Sequence, residues 1–278
     1  MLRTISLFVL LVGALPLSAQ EGRQWSRKDA AEWYARHDWP VGCNFIPSTA
    51  INQLEMWQKD TFDLKTVDRE LGWAHDLGFN TVRVFLHDLA WKQDKQGLIQ
   101  RMYQFLGAAQ QHKIRVIFVF FDSCWDPAPM SGKQRAPKLG LHNSGWVQSP
   151  GVAVLQDPKA WAEKKDYVQG ILNQFRRHHN ILAWDLWNEP DNNNASSYGK
   201  LDIANKQKVV LPLVKQVFAW AREMKPQQPL TAAPWAGDWS DPEKMTRLDR
   251  YLFDASDIIT FHRYENLEHT KKSVEALK

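Results

Sequence analysis

The sequence predicts an α/β fold with a parallel sheet, on three observations. Short apolar, β-branched runs alternate with longer segments of helical period. The runs are almost continuously apolar, which is typical of strands buried on both faces. Polar and aromatic residues follow successive runs, as they would at the mouth of a closed (β/α)8 TIM barrel. We therefore expect a barrel, with six βα units visible in the 278 residues and strands seven and eight missing.

The alternation alone would also fit an open, doubly wound sheet. Neither G-x-G-x-x-G nor G-x-x-x-x-G-K-[ST] follows any predicted strand, so the usual phosphate-binding reasons to prefer the open sheet are missing. The polar residues that follow the strands favour the barrel, because a barrel gathers all its strand ends around one opening.

The predicted strands span 41–46, 81–86, 115–121, 181–187, 229–233 and 257–261. Segments in which apolar residues repeat with the period of a helix lie between them, over 64–77, 98–109, 161–175, 210–224 and 245–252. Gly78 ends the first helix. The connection over 122–157 is long for a compact domain, which is typical of a functional loop.

Residues 1–20 have the pattern of a signal peptide. One basic residue, Arg3, precedes an apolar run over 5–12, and a small-residue stretch ends at Ala19. The run is too short and too poorly flanked for a transmembrane span. We expect a secreted or periplasmic protein, with residues 21–278 forming one incomplete barrel domain.

Composition excludes several classes of protein. The net charge of +4 is spread along the chain without a basic block, so nothing indicates nucleic-acid binding. With two cysteines, Cys43 and Cys124, no disulfide framework stabilises the fold. They follow strands one and three, about 9 Å apart in a barrel, so we expect free thiols. We expect no metal, no cofactor, no membrane contact after signal removal, and a monomer.

The sharpest local signal is Trp187-Asn188-Glu189-Pro190, at the end of the fourth strand. Neighbouring residues on a regular strand point to opposite faces, so placing Asn188 and Glu189 in one site requires an irregular strand end. A carboxyl among aromatic residues has its charged form disfavoured, which would keep it protonated as a general acid. The alternative is a strand-terminal Glu that caps a helix or faces solvent.

Three motifs in order, T-V-R-V-F-L, W-D-L-W-N-E-P and F-H-R-Y, resemble the clan of retaining glycosidases that includes the cellulase and mannanase family, glycoside hydrolase family 5. The resemblance extends over about 40–266. It implies that Glu189 is the acid/base and that Asn188 binds the sugar 2-hydroxyl. It also implies that Arg83 and Tyr264 lie beside a nucleophilic carboxylate, and that His262 is a substrate-side or network residue.

Further residues after the strands are candidates for substrate binding. They are His87, Asp122, Trp125, Trp187, Trp235 and Trp239. Flat aromatic rings in such positions are potential sugar platforms. The alternatives are a structural arginine at Arg83 and a satisfied core histidine at His262.

The resemblance also implies a nucleophilic Glu at the end of strand seven, and no seventh apolar run precedes Lys278. We expect the complete protein to continue for roughly 60 to 100 residues, since (β/α)8 domains have about 250 residues or more. A fragment without that Glu would be inactive. Glu265 is the nearest substitute and is expected to be a solvated loop residue.

Two functions remain open. The first is hydrolysis of a β-linked polysaccharide or oligosaccharide by double displacement, with carbohydrate as the partner. The second is a catalytically silent barrel that binds carbohydrate. A barrel enzyme of another kind would need a glycine-rich phosphate loop or a metal cluster, and the sequence has neither.

Overall fold

The computed structural model describes residues 23–195, 198–235, 237–239 and 241–278, so the expected signal peptide at 1–20 lies outside the described residues. A five-stranded parallel sheet forms the centre of the fold. Its strands are β1 (Gly42–Asn44), β2 (Thr81–Phe85), β3 (Arg115–Asp122), β4 (Ile181–Asn188) and β5 (Leu230–Ala233).

Strand order separates the two architectures that the sequence left open. Each strand pairs with the one before it, in the order β1-β2-β3-β4-β5. A doubly wound sheet reverses its order at a switch point, whereas barrel strands follow in sequence. The fold is therefore a partial (β/α)8 barrel, as expected.

The sixth predicted strand, 257–261, differs from expectation because it is not a strand. It runs beside β5, where Asp257 N–H donates to Leu230 O at 2.8 Å and His262 N–H donates to Pro234 O at 3.2 Å. The hydroxyls of Thr231 and Thr260 also meet at 2.7 Å. A strand requires a repeating ladder, so β-branched composition alone did not suffice here.

Helices precede, connect and follow the strands. They are α1 (Arg27–Ala35), α2 (Gln53–Trp57), α3 (Leu64–Asp76), α4 (Asp88–Gln93), α5 (Lys95–Gln111), α6 (Val152–Leu155), α7 (Trp161–Phe175), α8 (Lys206–Glu223), α9 (Arg247–Ala255) and α10 (Leu267–Leu277). The predicted helical segments correspond to α3, α5, α7, α8 and α9. Asp63 caps α3 by accepting from Thr66 N–H, and Gly78 follows that helix at φ +88°.

The two faces of β3 and β4 differ in chemistry. Phe118, Phe120 and Trp184 are fully buried, and the Phe118 and Trp184 rings stack with centroids 5.8 Å apart. The adjacent position, Asp185, pairs instead with Arg83 of β2 across the sheet. Side chains alternate along a strand, so one face stabilises the barrel while the other carries polar groups towards its opening. In the described part of the chain, no helix combines the length and apolar character needed to cross a membrane.

Candidate active site

Glu189 lies at an irregular end of β4. The pairing of β4 with β5 changes register between Asp185 and Asn188, and Glu189 N–H donates to Ala233 O at 2.8 Å. Glu189 itself has φ +47°, a conformation that non-glycine residues rarely adopt. The expected irregular strand end is present, and it brings the side chains of Asn188 and Glu189 into one hydrogen-bond network. Backbone strain of this kind concentrates at functional sites.

The carboxyl group of Glu189 is buried and hydrogen-bonded on both oxygens. His262 Nδ1 lies 2.5 Å from Oε1. Oε2 accepts from the Cys124 thiol at 2.9 Å and from Asn192 Nδ2 at 2.7 Å. A turn returns Asn192 to Glu189, because Asn192 N–H donates to Glu189 O at 3.0 Å. Three segments of the chain therefore hold one carboxyl group.

These contacts correct the expected ionisation of Glu189. Burial raises its pKa, as the sequence predicted, but hydrogen bonds from His262, Cys124 and Asn192 favour the charged form. The net effect holds the pKa of Glu189 below its ordinary value. The expectation of a protonated resting carboxyl was wrong because the sequence reveals aromatic neighbours but not which donors the fold supplies.

Asn188 is held in one orientation by two partners. Its Oδ1 accepts from Arg83 Nη2 at 2.8 Å, and its Nδ2 donates to Asp122 Oδ1 at 2.8 Å. Arg83 also donates to Asp185 Oδ2 from Nη2 at 2.7 Å and from Nε at 2.9 Å. Arg83 is thus a barrel-interior arginine paired with Asp185, and it reaches the candidate site through Asn188.

Asp122 lies behind Asn188 rather than at the surface. It is 1% exposed, and its Oδ1 also accepts from Cys124 N–H at 3.0 Å. Burial raises the pKa of Asp122 to about 7, and the nearby charge of Glu189 acts in the same direction. As placed, Asp122 offers no surface to a sugar, contrary to its predicted role. Its pKa is raised, whereas the pKa of Glu189 is lowered.

Three other predicted substrate-binding residues are buried as well. His87 is fully enclosed, with Nε2 3.0 Å from Gln148 O and Nδ1 accepting from Leu89 N–H. Trp187 donates from Nε1 to Ser123 Oγ at 2.8 Å. Trp239 is 1% exposed beneath the Arg263 guanidinium, 4.2 Å from its ring centroid. These side chains shape the site from behind and present no stacking face to solvent.

Trp125, Trp235 and Tyr264 keep exposed surface. Trp125 has φ +78° and packs against His142 with centroids 5.1 Å apart, while Trp235 is 37% exposed. Tyr264 is 79% exposed, with its ring edge-on to His262 at 6.5 Å. The predicted platforms Trp125 and Trp235 thus keep exposed ring surface, as does Tyr264, which was predicted to lie beside the nucleophile.

An open cavity adjoins the site between β1 and the segment after β5. Its volume is about 420 Å³, and its lining includes Asn44, Arg83, Ile117, His262 and Tyr264. Glu265 follows the lining residue Tyr264 in the chain, with its carboxyl half exposed and 3.4 Å from Arg263 Nη1. Glu265 is thus the solvated loop residue that the sequence predicted.

The sequence interpretation missed Cys124 and Asn192 as partners of Glu189. It also missed a buried ion pair behind them, Lys206 with Asp202, in which Lys206 Nζ donates to Ser123 O at 2.7 Å and to Asn192 O at 2.9 Å. The polar run after Pro190 was a usable signal, because a turn there can return a side chain to Glu189. Nothing in the sequence indicated the contribution of Lys206.

Both cysteines are free, as expected, with Cys43 exposed and Cys124 buried. Among the described residues, no group of three or more His, Cys, Asp or Glu side chains is arranged to hold a metal ion. The functional groups found at the site are carboxyl, amide, imidazole and thiol groups.

The family model described as cellulase (glycosyl hydrolase family 5) matches residues 42–276. A comparison with curated protein sequences gives no match.

Among solved structures, a β-mannanase from the blue mussel Mytilus edulis superimposes with a TM-score of 0.53 at 18% identity, covering 78% of this chain and 65% of that one. An exo-β-1,4-mannosidase from Opitutaceae bacterium strain TAV5 gives a TM-score of 0.47 at 20% identity, covering 70% of this chain and 32% of that one. An endo-1,4-β-mannanase from Eisenia fetida gives 0.47 at 11%, covering 72% and 59%. The chain thus spans less than two thirds of each of these proteins.

Proposed function

Because the chain belongs to the cellulase family, glycosyl hydrolase family 5, we propose that it hydrolyses a β-linked polysaccharide or oligosaccharide with retention of configuration. Family membership supports glycosidase activity in general. The observation that carries the finer proposal is the buried carboxyl of Glu189, held at the end of β4 by His262, Cys124 and Asn192. Structural support for one carboxyl from three segments is typical of a group that must react in a fixed orientation.

In the proposed double displacement, Glu189 acts twice. It first gives a proton to the leaving glycosidic oxygen while a second carboxylate forms a bond to the anomeric carbon. It then takes a proton from water, which breaks the glycosyl-enzyme bond. Glu189 is ionised at rest in this network, so the first step requires it to gain a proton. A second carboxylate nearby would raise its pKa in the required direction.

Each acidic side chain described around Glu189 has another partner. Asp185 pairs with Arg83, Asp122 is enclosed behind Asn188, and Asp191 accepts from Trp235 N–H at 2.8 Å. We therefore propose that none of the described carboxyl groups is the nucleophile. Trapping with a fluorosugar that labels retaining nucleophiles, followed by peptide mapping, tests this directly. A label on a residue before Lys278 would contradict it.

Glu189→Gln tests the acid/base role in the full-length protein. Loss of the acid should slow hydrolysis of glycosides with poor leaving groups by about 10² to 10⁴, the usual contribution of general acid catalysis. The glycosylation step on activated aryl glycosides should be spared, because such leaving groups need no proton. Equal loss on both substrate types would show that Glu189 has another role.

Glu223→Gln is the matched control for that substitution. Glu223 lies on α8 with its carboxyl 55% exposed and paired to Lys165. Its replacement should leave both rates unchanged. If the parent protein hydrolyses no glycoside but still binds β-glycans, the silent carbohydrate-binding barrel is the better description.

The proposal names the class of substrate, a β-linked glycan, and not one particular glycan. Trp125, Trp235 and Tyr264 supply exposed aromatic surface on which sugar rings can stack. A screen of aryl β-glycosides, soluble β-glucans and β-mannans with the full-length protein would identify the preferred chain. Activity on α-linked substrates alone would contradict the proposal.

We also propose export, on the sequence pattern of residues 1–20, and a monomeric state. Amino-terminal sequencing of the mature protein should begin near residue 21. Recovery of an intact Met1 from the producing cell would contradict export, and a concentration-dependent mass in light scattering would contradict the monomer.

A further inference from the structure

Cys124 occupies an unusual position for a buried cysteine. It lies two residues after β3, is 2% exposed, and places its Sγ 2.9 Å from Oε2 of Glu189. Burial raises the pKa of this thiol well above its ordinary value, with the charges of Asp122 and Glu189 acting in the same direction. Cys124 is therefore a neutral thiol with a proton to donate.

The surroundings of the sulfur restrict the directions in which that proton can point. Nδ2 of Asn192 lies 3.4 Å from Sγ and Nδ2 of Asn188 lies 3.5 Å from it. Both amide nitrogens can only donate. The Asn192 orientation is fixed because its Oδ1 accepts from Asn194 N–H at 2.8 Å, and that of Asn188 because its Oδ1 accepts from Arg83. The S–H group therefore has two carboxyl groups as acceptors, Asp122 and Glu189, and Oε2 of Glu189 lies at hydrogen-bond distance, 2.9 Å from Sγ.

The two oxygens of Glu189 then differ in what they can carry. Oε2 faces Nδ2 of Asn192 and the thiol, and a proton placed on Oε2 would oppose a group that only donates. Oε1 faces Nδ1 of His262, which donates to the ionised carboxylate and accepts from a protonated Oε1 in the neutral tautomer that carries its proton on Nε2. A protonated carboxyl needs an acceptor for its own O–H, and the His262 side provides one.

Resting on the proposed function, we propose that Cys124 is a positioning residue for the acid/base. Together with Asn192 it reserves Oε2 of Glu189 as an acceptor, so that the exchangeable proton is carried on Oε1, against His262. The balance is simple: in the first half-reaction a proton leaves Oε1 for the glycosidic oxygen, and in the second a proton from water returns to Oε1. Cys124 keeps its own proton throughout.

Several ionisable groups surround the pair and must be followed in any titration. They are Asp122 beside Cys124 at the end of β3, His262 and Tyr264 after α9, Arg83 on β2 and Lys206 at the start of α8. Of these, His262 directly contacts the Glu189 carboxyl, and Asp122 contacts Cys124 through its backbone N–H. Glu189→Gln identifies which observed transition belongs to Glu189.

Infrared spectroscopy of the S–H stretch tests the contact without using activity. In the Cys43→Ser protein, Cys124 is the sole thiol among residues 1–278, because this sequence has two cysteines. Its band should lie at the lowered frequency of a donating thiol, and should move towards the free-thiol frequency as acid protonates Glu189. Glu189→Gln should abolish that movement. A band at the free-thiol frequency that does not respond to pH would overturn the proposal.

A second test compares Cys124→Ala with Cys124→Ser by carboxyl ¹³C NMR. Removing the donor should raise the pKa of Glu189 by roughly half a unit to one unit, since a thiol is a weak donor to the charged form. Serine, which keeps a donor, should restore most of the shift, and Cys43→Ala should leave it unchanged. Equal pKa values in the parent and Cys124→Ala would overturn the proposal.

The basic limb of the pH–rate profile should follow the same order among the variants, because the first half-reaction requires Glu189 to be protonated. If the expected spectroscopic shifts are present while the full-length protein hydrolyses no glycoside, the proposed function fails and the positioning contact stands. If activity is present and the shifts are not, the contact fails alone. If Cys124→Ala does not fold, the infrared measurement on Cys43→Ser still decides.

Discussion

The middle and the carboxyl ends of strands β3 and β4 are built on different principles. In the middle, regular pairing and fully buried rings such as Phe118 and Trp184 satisfy the backbone and fill the space behind the sheet. At the ends, Trp125 and Glu189 have positive φ, and buried Asp122 leaves its Oδ2 without a partner among the described residues. The middle therefore stabilises the fold, whereas the ends hold buried polar groups at a cost in stability.

Trp184→Ala should produce the largest loss of stability in this comparison. Trp184 is fully buried between Phe118 and Phe120, and it donates from Nε1 to Gln228 Oε1 at 3.0 Å. Removing a buried tryptophan side chain costs about 3–5 kcal/mol of unfolding free energy. Denaturant unfolding followed by circular dichroism would measure it.

Trp73→Ala is the control for that substitution. Trp73 lies on α3 with 56% of its surface exposed, and its main described contact is a cation–π contact with Arg69 at 5.0 Å. Its loss should cost no more than about 1 kcal/mol. Similar losses for both tryptophans would mean that the middle of the strands does not carry the stability assigned to it.

Asp122→Asn tests whether the strand ends reduce stability. The test follows how the unfolding free energy of the variant and of the parent depends on pH. The folded pKa of Asp122 is about 7, above the value of about 3.9 in an unfolded chain, so the folded state holds the proton more tightly. The favourable contribution of neutral Asp122 is complete below about pH 4 and is lost as the pH rises through 7. An asparagine side chain cannot ionise, so the variant should be more stable than the parent above pH 7, by up to about 4 kcal/mol, because each pKa unit of the shift is worth about 1.4 kcal/mol.

The measurement is the difference in unfolding free energy between variant and parent from pH 4 to pH 8. The introduced amide keeps an acceptor for Asn188 Nδ2 and for Cys124 N–H, so the network should persist at low pH. Asp60→Asn, at an exposed loop position, should give a flat difference. A flat difference for Asp122→Asn as well would mean that this carboxyl ionises normally within the fold.

The same division explains which features the sequence predicted. Hydrophobic periodicity located the strand middles and five helices. Buried strand residues such as Phe118 and Trp184 repeat every two residues, whereas the apolar face of a helix repeats every 3.6 residues. The Asn188-Glu189-Pro190 motif located the site. The ionisation of Glu189 was predicted with the wrong sign, since its donors come from Cys124, 65 residues earlier, and His262, 73 residues later.

The local sequence pattern also did not predict which of the candidate sugar platforms are buried. Trp187, Trp235 and Trp239 all follow or end strands in the sequence, yet one is half-exposed and two are enclosed. The difference depends on Ser123 and Arg263, which reach those rings through tertiary contacts. Residue type and strand position therefore predict the neighbourhood of a site but not which face of a ring solvent reaches.

The smallest predicted effect separates strain at the site from strain elsewhere. α3 and α5 end in the same backbone motif: Gly78 N–H donates to His75 O and Phe79 N–H to Ala74 O, while Lys113 N–H donates to Gln110 O and Ile114 N–H to Ala109 O. Gly78 has φ +88° and Lys113 has φ +57°. One turn therefore uses the residue suited to positive φ, and the other does not.

Lys113→Gly should increase the unfolding free energy by about 0.5–1 kcal/mol, because relief of left-handed strain of about 1–2 kcal/mol exceeds the greater flexibility of glycine in the unfolded chain. The reciprocal change, Gly78→Ala, should cost about 1 kcal/mol from backbone strain alone, since nothing lies within 4 Å of the added Cβ. Both turns precede the starts of strands, opposite the end that carries Glu189, so neither change should alter activity. Glu189→Gly, by contrast, should relieve the same kind of strain and abolish turnover. If Lys113→Gly lowered stability, the lysine side chain would be stabilising the turn, and positive φ alone would no longer distinguish the site from the rest of the barrel.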